Sequence, residues 1–271
     1  MHPRAAEVPP SQEIPGVSNV IAVGSGKGGV GKTTVAVNLA IALSRLGLRT
    51  GLLDADVYGP NIPLMLGIRQ APFTDGQRII PIEKEGLKLM SMGFLQPGDK
   101  PLVWRGPMLH SVMQQFLRQT AWEPLDYLVV DLPPGTGDVA LSLVQIVPLT
   151  GAVIVTTPSE VAVEDARKAV NMFRNVHVPV LGLVENMSYL IAPQSRERVD
   201  VFGAGGGKGM AEEMKIDYLG ELPLDPAIRV GGDTGKAVAW NDFPEFVDLA
   251  RKTIARVEAL SHRRRRITVE D

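Results

Sequence analysis

Cysteine is missing from the whole chain of 271 residues. Its absence excludes disulfide bonds, a thiol nucleophile and any zinc or iron–sulfur site held by the chain's own thiolates. Long apolar runs are missing as well, because no segment approaches the roughly 20 apolar residues of a membrane span. The first 16 residues also lack the apolar core of a signal peptide. We therefore expect a cytoplasmic protein with no stable membrane insertion.

A surplus of positive charge is lacking too. Lysine and arginine number 28 against 30 aspartate and glutamate residues, which gives a formal net charge of −2. Nucleic-acid-binding proteins usually carry a clear basic excess, so no nucleic-acid partner is expected. Hydrophobic residues make up 45% of the chain, which is typical of a globular protein.

Short apolar runs alternate with helical patterns along most of the chain. We predict a Pro-rich flexible N-terminal arm over 1–16, a single α/β domain over 17–262 and a charged tail over 263–271. Near-continuous apolar strands need cover on both faces, so the pattern predicts a mostly parallel sheet with helices on both faces. The predicted strands cover 19–23, 49–53, 127–130, 152–156 and 180–184. The predicted helices cover 33–46, 107–120, 139–147, 163–175 and 244–261.

The most specific signal is a glycine-rich stretch between the first strand and the first helix. It fits the phosphate-loop pattern G-x-x-x-x-G-K-[ST] at every position and reads Gly26-Lys27-Gly28-Gly29-Val30-Gly31-Lys32-Thr33, followed by Thr34. Glycines let the loop turn tightly, and a Cβ atom would block both the turn and the approaching phosphate. We expect Lys32 to reach the β- and γ-phosphates of ATP and Thr33 to bind Mg²⁺.

Phosphoryl transfer also needs carboxylates, and three aspartates follow predicted strands. Asp54 and Asp56 end the second strand (LLDAD), and Asp131 ends a later one (LVVDLPPGTGD). The carboxyl ends of parallel strands share the edge where open α/β sheets bind ligands. Asp131 therefore fits the metal-holding position of a Walker B element. A second interpretation stays open for Asp54 and Asp56, in which they only start the turn over 56–61.

These residues resemble a known family. The loop SGKGGVGKTT carries a second lysine, Lys27, as in deviant Walker A ATPases such as MinD and ParA. Longer stretches over about 20–240 are similar to the Mrp (ApbC) family of iron–sulfur cluster carrier ATPases. These stretches are DADVYGPNIPLMLG (54–67), WRGPM (104–108), DYLVVDLPPGTGD (126–138), VPVLGLVENMSY (178–189), FGAGGG (202–207) and LGELPLDPAIR (219–229).

The resemblance implies a slow ATP hydrolase that becomes active when two subunits enclose two ATP molecules. In such a homodimer the extra lysine crosses the interface, so Lys27 is expected to act in trans. Asp56 matches the position that orients the attacking water. Lys27, Lys32 and Asp56 are therefore the expected catalytic residues.

The resemblance also implies which residues hold the cofactors ATP and Mg²⁺. Asp54 and Asp131 are expected to contact Mg²⁺ through water, beside Thr33. Asn186 matches a position that reads the adenine edge. The stretch 222–226, which includes Pro223 and Asp225, is expected to lie against base and ribose.

The chain departs from the Mrp pattern at one functional position. After ENMSY, Mrp proteins usually carry a C-x-x-C pair that binds a [4Fe-4S] cluster between two subunits, whereas Ala192 and Ser195 stand there in this chain. Neither side chain offers a thiolate, which excludes cluster binding by that route. Either the sequence was edited, or it belongs to a branch without the pair. A role in iron–sulfur cluster binding or transfer, with assembly or client proteins as partners, is implied by resemblance alone.

Two further stretches allow other interpretations. The stretch 203–209 (GAGGGKG) looks like a second phosphate loop but lacks the G-K-[ST] ending, which favours a flexible loop. The arginine run 263–266 follows an amphipathic helix, which favours a solvated tail. The alternative interpretation is that this run anchors the protein to a membrane or to nucleic acid. The protein would then be a MinD- or ParA-like nucleotide-switched protein that positions cargo on membrane or DNA.

Overall fold

The computed structural model describes residues 13–95, 106–237 and 243–269. The strands are β1 (Val17–Ser25), β2 (Thr50–Asp54), β3 (Phe73–Thr74), β4 (Ile79–Ile80), β5 (Ile82–Lys84), β6 (Leu87–Ser91), β7 (Leu125–Asp131), β8 (Gly151–Thr156), β9 (Val180–Ile191), β10 (Arg198–Val199) and β11 (Tyr218–Pro223). The α-helices are α1 (Lys32–Arg45), α2 (Ile62–Met65), α3 (Gly106–Arg118), α4 (Asp138–Ile146), α5 (Glu160–Asn175), α6 (Gly206–Met214), α7 (Pro226–Asp233) and α8 (Pro244–Val269). A 3₁₀ helix covers Met92–Leu95.

A nine-stranded sheet forms the centre of the molecule. Its order is β10-β9-β8-β1-β7-β2-β6-β5, and β11 pairs with β9 as well. Along this order, the neighbouring pairs between β9 and β6 (β9-β8, β8-β1, β1-β7, β7-β2 and β2-β6) are parallel, and β11 is parallel to β9. The edge strands β5 and β10 are antiparallel to their neighbours. The prediction of a mostly parallel sheet is confirmed.

Two apolar layers cover the faces of this sheet. In β1, Ile21 and Val23 face the layer that contains α1 and α8, whereas Val20 and Ala22 face the layer that contains α3, α4, α5 and α6. All four residues are buried, so both faces of β1 are covered and the strand is apolar without alternation. The predicted helices on both faces are confirmed. β1 lies near the middle of the sheet, between β8 and β7.

Several boundaries differ from the predicted ones. Ile14 is buried although it was placed in the arm, most of which lies outside the described residues. β9 continues to Ile191, and α8 continues to Val269 through the arginine run rather than ending at Ser261. Within the described ranges, no helix combines the length and the apolar character needed to cross a membrane.

The prediction of a flexible loop over 203–209 is wrong for its second half. α6 begins at Gly206, after Gly205 in a left-handed conformation. The Glu185 carboxylate, fully buried in β9, accepts a hydrogen bond of 2.5 Å from the Gly207 backbone N–H. This contact satisfies a donor at the start of the helix, so a distant carboxylate stabilises a segment whose glycines oppose helix formation.

Candidate functional site

The glycine-rich stretch forms a tight loop from the end of β1 to the start of α1. Gly29 and Gly31 have φ angles of 81° and 79°, in the left-handed region that favours glycine. The Ser25 hydroxyl donates to the Lys27 backbone oxygen at 2.9 Å and closes the base of the loop. Because α1 begins at Lys32, the positive end of its dipole lies beside the loop N–H groups.

Neighbouring elements explain glycine at two further points of contact. A Cβ atom on Gly26 would lie 2.0 Å from the Asp165 carbonyl group, so the loop backbone packs directly on α5. A Cβ atom on Gly31 would lie 2.2 Å from the Asn186 amide nitrogen. At both positions, protein atoms exclude a side chain, in addition to the demands of the turn and of the phosphate.

A buried polar cluster lies at the mouth of the loop. The Lys32 ammonium donates to Asp131 Oδ1 at 2.6 Å, and the Thr33 hydroxyl donates to Asp131 Oδ2 at 2.7 Å. Lys32 Nζ also lies 3.5 Å from Asp56 Oδ2. Burial raises the pKa of Asp131, and the contacts with Lys32 and Thr33 oppose that shift. One buried cation therefore faces two buried aspartates.

Asp54 lies beside this cluster and is fully buried. Its carboxylate accepts hydrogen bonds from the Ser91 hydroxyl at 2.8 Å and from the backbone N–H groups of Ile62 at 3.2 Å and Asp56 at 3.3 Å. Burial and the charge of Asp131 raise the pKa of Asp54 to about 8. These contacts hold the loop 54–62 that carries Asp56, so Asp54 shapes the turn. Its contact with Mg²⁺ through water stays a prediction.

The oxygen atoms at the cluster fit a nucleotide-bound Mg²⁺. Within the described part of the chain, no group of three or more His, Asp and Glu side chains is arranged to hold a metal. In nucleotide sites, however, Mg²⁺ keeps several waters and takes one or two protein oxygens besides the phosphates. The Thr33 hydroxyl and the Asp131 carboxylate, 2.7 Å apart, supply such a pair.

A cavity of about 390 Å³, the phosphate-side cavity, opens beside the loop. Lys27, Gly28 and Lys32 line it together with Asp56 and the exposed Tyr58. Lys27 is half-buried, and among the described residues no carboxylate lies within ion-pair distance of its ammonium group. Lys27 therefore lies at the wall of this cavity without an ion pair to a described residue.

A second cavity, of about 460 Å³, adjoins the first and is named the base-side cavity after the residues expected at base and ribose. The residues that line both are Thr33, Thr34 and Asn61. Asn186, Pro223 and Asp225 line the second cavity, so the structure brings the three residues expected at base and ribose next to the phosphate loop. Asp225 also accepts a hydrogen bond of 2.7 Å from the Ala227 backbone N–H and thereby caps α7.

Sequence reasoning missed several residues of the site. Ser91, which holds Asp54, ends β6 at the same sheet edge as Asp54 and Asp131. Leu64 and Ile228 line the second cavity from α2 and α7, two helices that were not predicted. The available signal for Ser91 was a polar residue after the short run LKLM, which is apolar except for Lys88, much as the two aspartates follow apolar runs.

Ala192 and Ser195 lie in the turn between β9 and β10. The turn is closed by two backbone hydrogen bonds of 2.9 Å, from Ala192 N to the Glu197 oxygen and from Arg196 N to the Ala192 oxygen. Ser195 is exposed, and its hydroxyl oxygen lies 3.4 Å from the Glu197 nitrogen. Neither side chain provides a soft ligand for iron, so these residues do not fit a cluster held by this chain.

The parallel sheet, the loop between β1 and α1, and the Lys32, Thr33 and Asp131 cluster together define a P-loop NTPase. A family model described as NUBPL iron-transfer P-loop NTPase, of the ParA group, matches residues 16–257, and the chain belongs to this family.

Individual proteins agree with this assignment. The chain is 54% identical over 259 residues to an iron–sulfur cluster carrier protein from Deinococcus radiodurans, an alignment that covers 94% of this chain and 72% of that protein. It is similar to a nucleotide-binding protein from Archaeoglobus fulgidus in complex with ADP, with a TM-score of 0.72, 36% identity and coverage of 84% and 92%. The cell division ATPase MinD from Pyrococcus furiosus, at a TM-score of 0.65, 24% identity and coverage of 87% and 98%, shares the fold.

Proposed function

We propose that this chain is a Mg²⁺-dependent ATPase that acts as a homodimer in the transfer of iron–sulfur clusters to apoproteins. The observation that carries the proposal is the cluster at the phosphate loop, in which Lys32 lies 2.6 Å from Asp131 and 3.5 Å from Asp56. Membership in an iron-transfer P-loop NTPase family supports the role in cluster transfer.

In the proposed reaction, water attacks the γ-phosphorus of ATP, the bond to the β–γ bridging oxygen breaks, ADP leaves, and inorganic phosphate forms with release of a proton to solvent. Lys32 binds the β- and γ-phosphates, and Asp56 orients the water. The backbone N–H groups of Tyr58 and Gly59, at 3.1 and 3.3 Å, hold Asp56 Oδ1 in place. Thr33 and Asp131 would hold Mg²⁺, which would supply positive charge to neutralise the phosphates.

Lys27 is proposed to complete the site of the partner subunit. Lys27 lines the phosphate-side cavity, and its ammonium group has no carboxylate partner among the described residues. A cation that arrives only on dimerisation would stabilise the charge of the transition state and make hydrolysis slow in the monomer. Turnover per subunit should therefore rise with protein concentration.

A comparison of three lysine variants tests the ATPase proposal. Lys32→Ala should abolish turnover and weaken ATP binding, whereas Lys27→Ala should abolish turnover with nucleotide binding largely kept. Lys208→Ala, at an exposed lysine of the other glycine-rich stretch, is the matched control and should leave both unchanged. Equal loss of binding in Lys27→Ala and Lys32→Ala would overturn the trans role of Lys27, and wild-type protein without Mg²⁺-dependent turnover would overturn the ATPase.

The iron–sulfur cluster is proposed as cargo whose thiolate ligands come from another molecule. The chain has no cysteine, and Ala192 and Ser195 lie at the positions of the usual pair. Anaerobic reconstitution of the isolated protein with iron and sulfide should therefore give no stable visible absorbance. Addition of a cysteine-containing apoprotein client should produce a cluster spectrum on the client, at a rate that responds to ATP. A stable four-iron cluster on the isolated chain would contradict the proposal.

A further inference from the structure

Asn186 reaches from the base-side cavity to the phosphate loop. Its amide nitrogen donates to the Val30 backbone oxygen at 2.8 Å, across 156 positions of sequence. The Asn186 side chain is only 5% exposed, so this hydrogen bond is shielded from water. The Val30 oxygen and the Gly31 N–H belong to the same peptide plane, so the bond fixes the orientation of a phosphate-binding donor.

The backbone of β9 is irregular where it presents Asn186. Met187 has a φ angle of 54°, a left-handed conformation that is unfavourable for a residue other than glycine. The pairing of β9 with β11 shifts register at the same place, between Glu221 and Pro223. The Ser188 hydroxyl donates to the Glu185 carboxylate at 2.6 Å, which anchors both sides of the irregularity. The strand is thus held in a conformation that turns Asn186 toward the loop.

The contact between Asn186 and the loop is also close in packing. A Cβ atom on Gly31 would lie 2.2 Å from the Asn186 nitrogen and 3.3 Å from the end of the Met187 side chain. Asparagine carries two N–H donors and one acceptor oxygen, so one donor and the oxygen stay available after the bond to Val30. Asn186 also lines the base-side cavity, so the same side chain contacts both the phosphate loop and this cavity.

We propose that Asn186 is a positioning residue that holds the Val30–Gly31 peptide of the phosphate loop in its phosphate-binding orientation and links this loop to the base-side cavity. This role rests on the proposed nucleotide site. It predicts that Asn186 contributes to binding of a phosphate chain that has no base, which a residue that contacts only adenine cannot do.

The test compares Mg²⁺-ATP with inorganic tripolyphosphate, measured by displacement of a fluorescent ATP analogue. Asn186→Ala removes the hydrogen bond, and Asn186→Leu keeps about the same size, has no donor and adds no charge beside the phosphates. Met65→Ala is the control, because Met65 lines the base-side cavity and not the phosphate-side one. Loss of one buried hydrogen bond should weaken both ligands about tenfold in each Asn186 variant. Met65→Ala should leave tripolyphosphate binding unchanged.

Hydrogen exchange of the ligand-free protein gives a second readout. In Asn186→Ala the peptide that contains 26–33 should exchange about tenfold faster, since the loop has lost one buried hydrogen bond, while peptides of β1 and β7 stay protected. A loss of ATP affinity without a change for tripolyphosphate would overturn the positioning role and leave the nucleotide site intact. Unchanged exchange over 26–33 would overturn it as well. Wild-type protein that binds neither ligand would instead overturn the proposed function.

Discussion

Removal of the Lys32 side chain should destabilise the nucleotide-free protein as well as stop turnover. Lys32 Nζ lies 2.6 Å from Asp131, and the two side chains are 6% and 0% exposed. When one partner of a buried ion pair is removed, the other charge stays buried without its counterion, which costs about 3 kcal/mol. In Lys32→Ala, among the described residues, the Thr33 hydroxyl is the one side-chain donor that would still bond the Asp131 carboxylate. For a chain of this size the melting temperature should fall by roughly 6 to 12 °C.

A second substitution separates this structural effect from the catalytic one. In the double variant Lys32→Ala with Asp131→Asn both charges are gone, so urea unfolding should recover most of the lost free energy of unfolding while turnover stays absent. Lys168→Ala is the control, because its 2.9 Å pair with Asp165 is exposed and should contribute less than about 1 kcal/mol. A Lys32→Ala protein as stable as the wild type, or a double variant no more stable than the single one, would contradict a stabilising role of the buried Lys32–Asp131 pair.

Three further predictions concern residues around and away from the site. Ser91→Ala removes the 2.8 Å hydrogen bond to Asp54, so urea unfolding should show a loss of about 2 kcal/mol and kcat for ATP should fall more than KM rises. In Gly26→Ala the new Cβ would overlap the backbone of α5 at 2.0 Å, so the melting temperature and ATP affinity should both drop, and unchanged values would contradict that packing. The hydrogen bond with Arg78 lowers the pKa of Glu123 from 4.5 to about 2. The contribution of this pair to the free energy of unfolding is therefore present above pH 4.5 and lost as pH falls toward 2. Because the pair is partly exposed, this contribution is about 1 kcal/mol, and Glu123→Gln should flatten that part of the stability profile.

The central strands and the phosphate loop were predictable because their signals are local. Val20 to Val23 are apolar without a break since both faces of β1 are covered, and the spacing from Gly26 to Thr33 follows from the loop itself. The position of Asp131 at the end of a strand was enough to bring it to the same edge, and the structure places it 2.6 Å from Lys32.

Other parts of the site depend on contacts between distant residues and were not predictable from local pattern. Ser91 acts on Asp54 only because β6 and β2 pair in register. Asn186 meets Val30 because β9 is irregular at Met187, which no local sequence signal indicated. The same holds for α6, whose glycines oppose a helix until the Glu185 carboxylate binds its first turn. In each case the decisive interaction joins residues more than 20 positions apart.

Calorimetric titration of Mg²⁺-ATP tests most directly whether the cluster at the phosphate loop is a nucleotide site. We predict binding of one ATP per chain for the wild type. For Lys32→Ala, which loses the cation at this loop, the affinity should be at least about tenfold weaker, as expected for loss of a charge-assisted contact to phosphate. Wild-type protein that takes up no ATP, or a Lys32→Ala variant that binds it with the same affinity, would contradict the account.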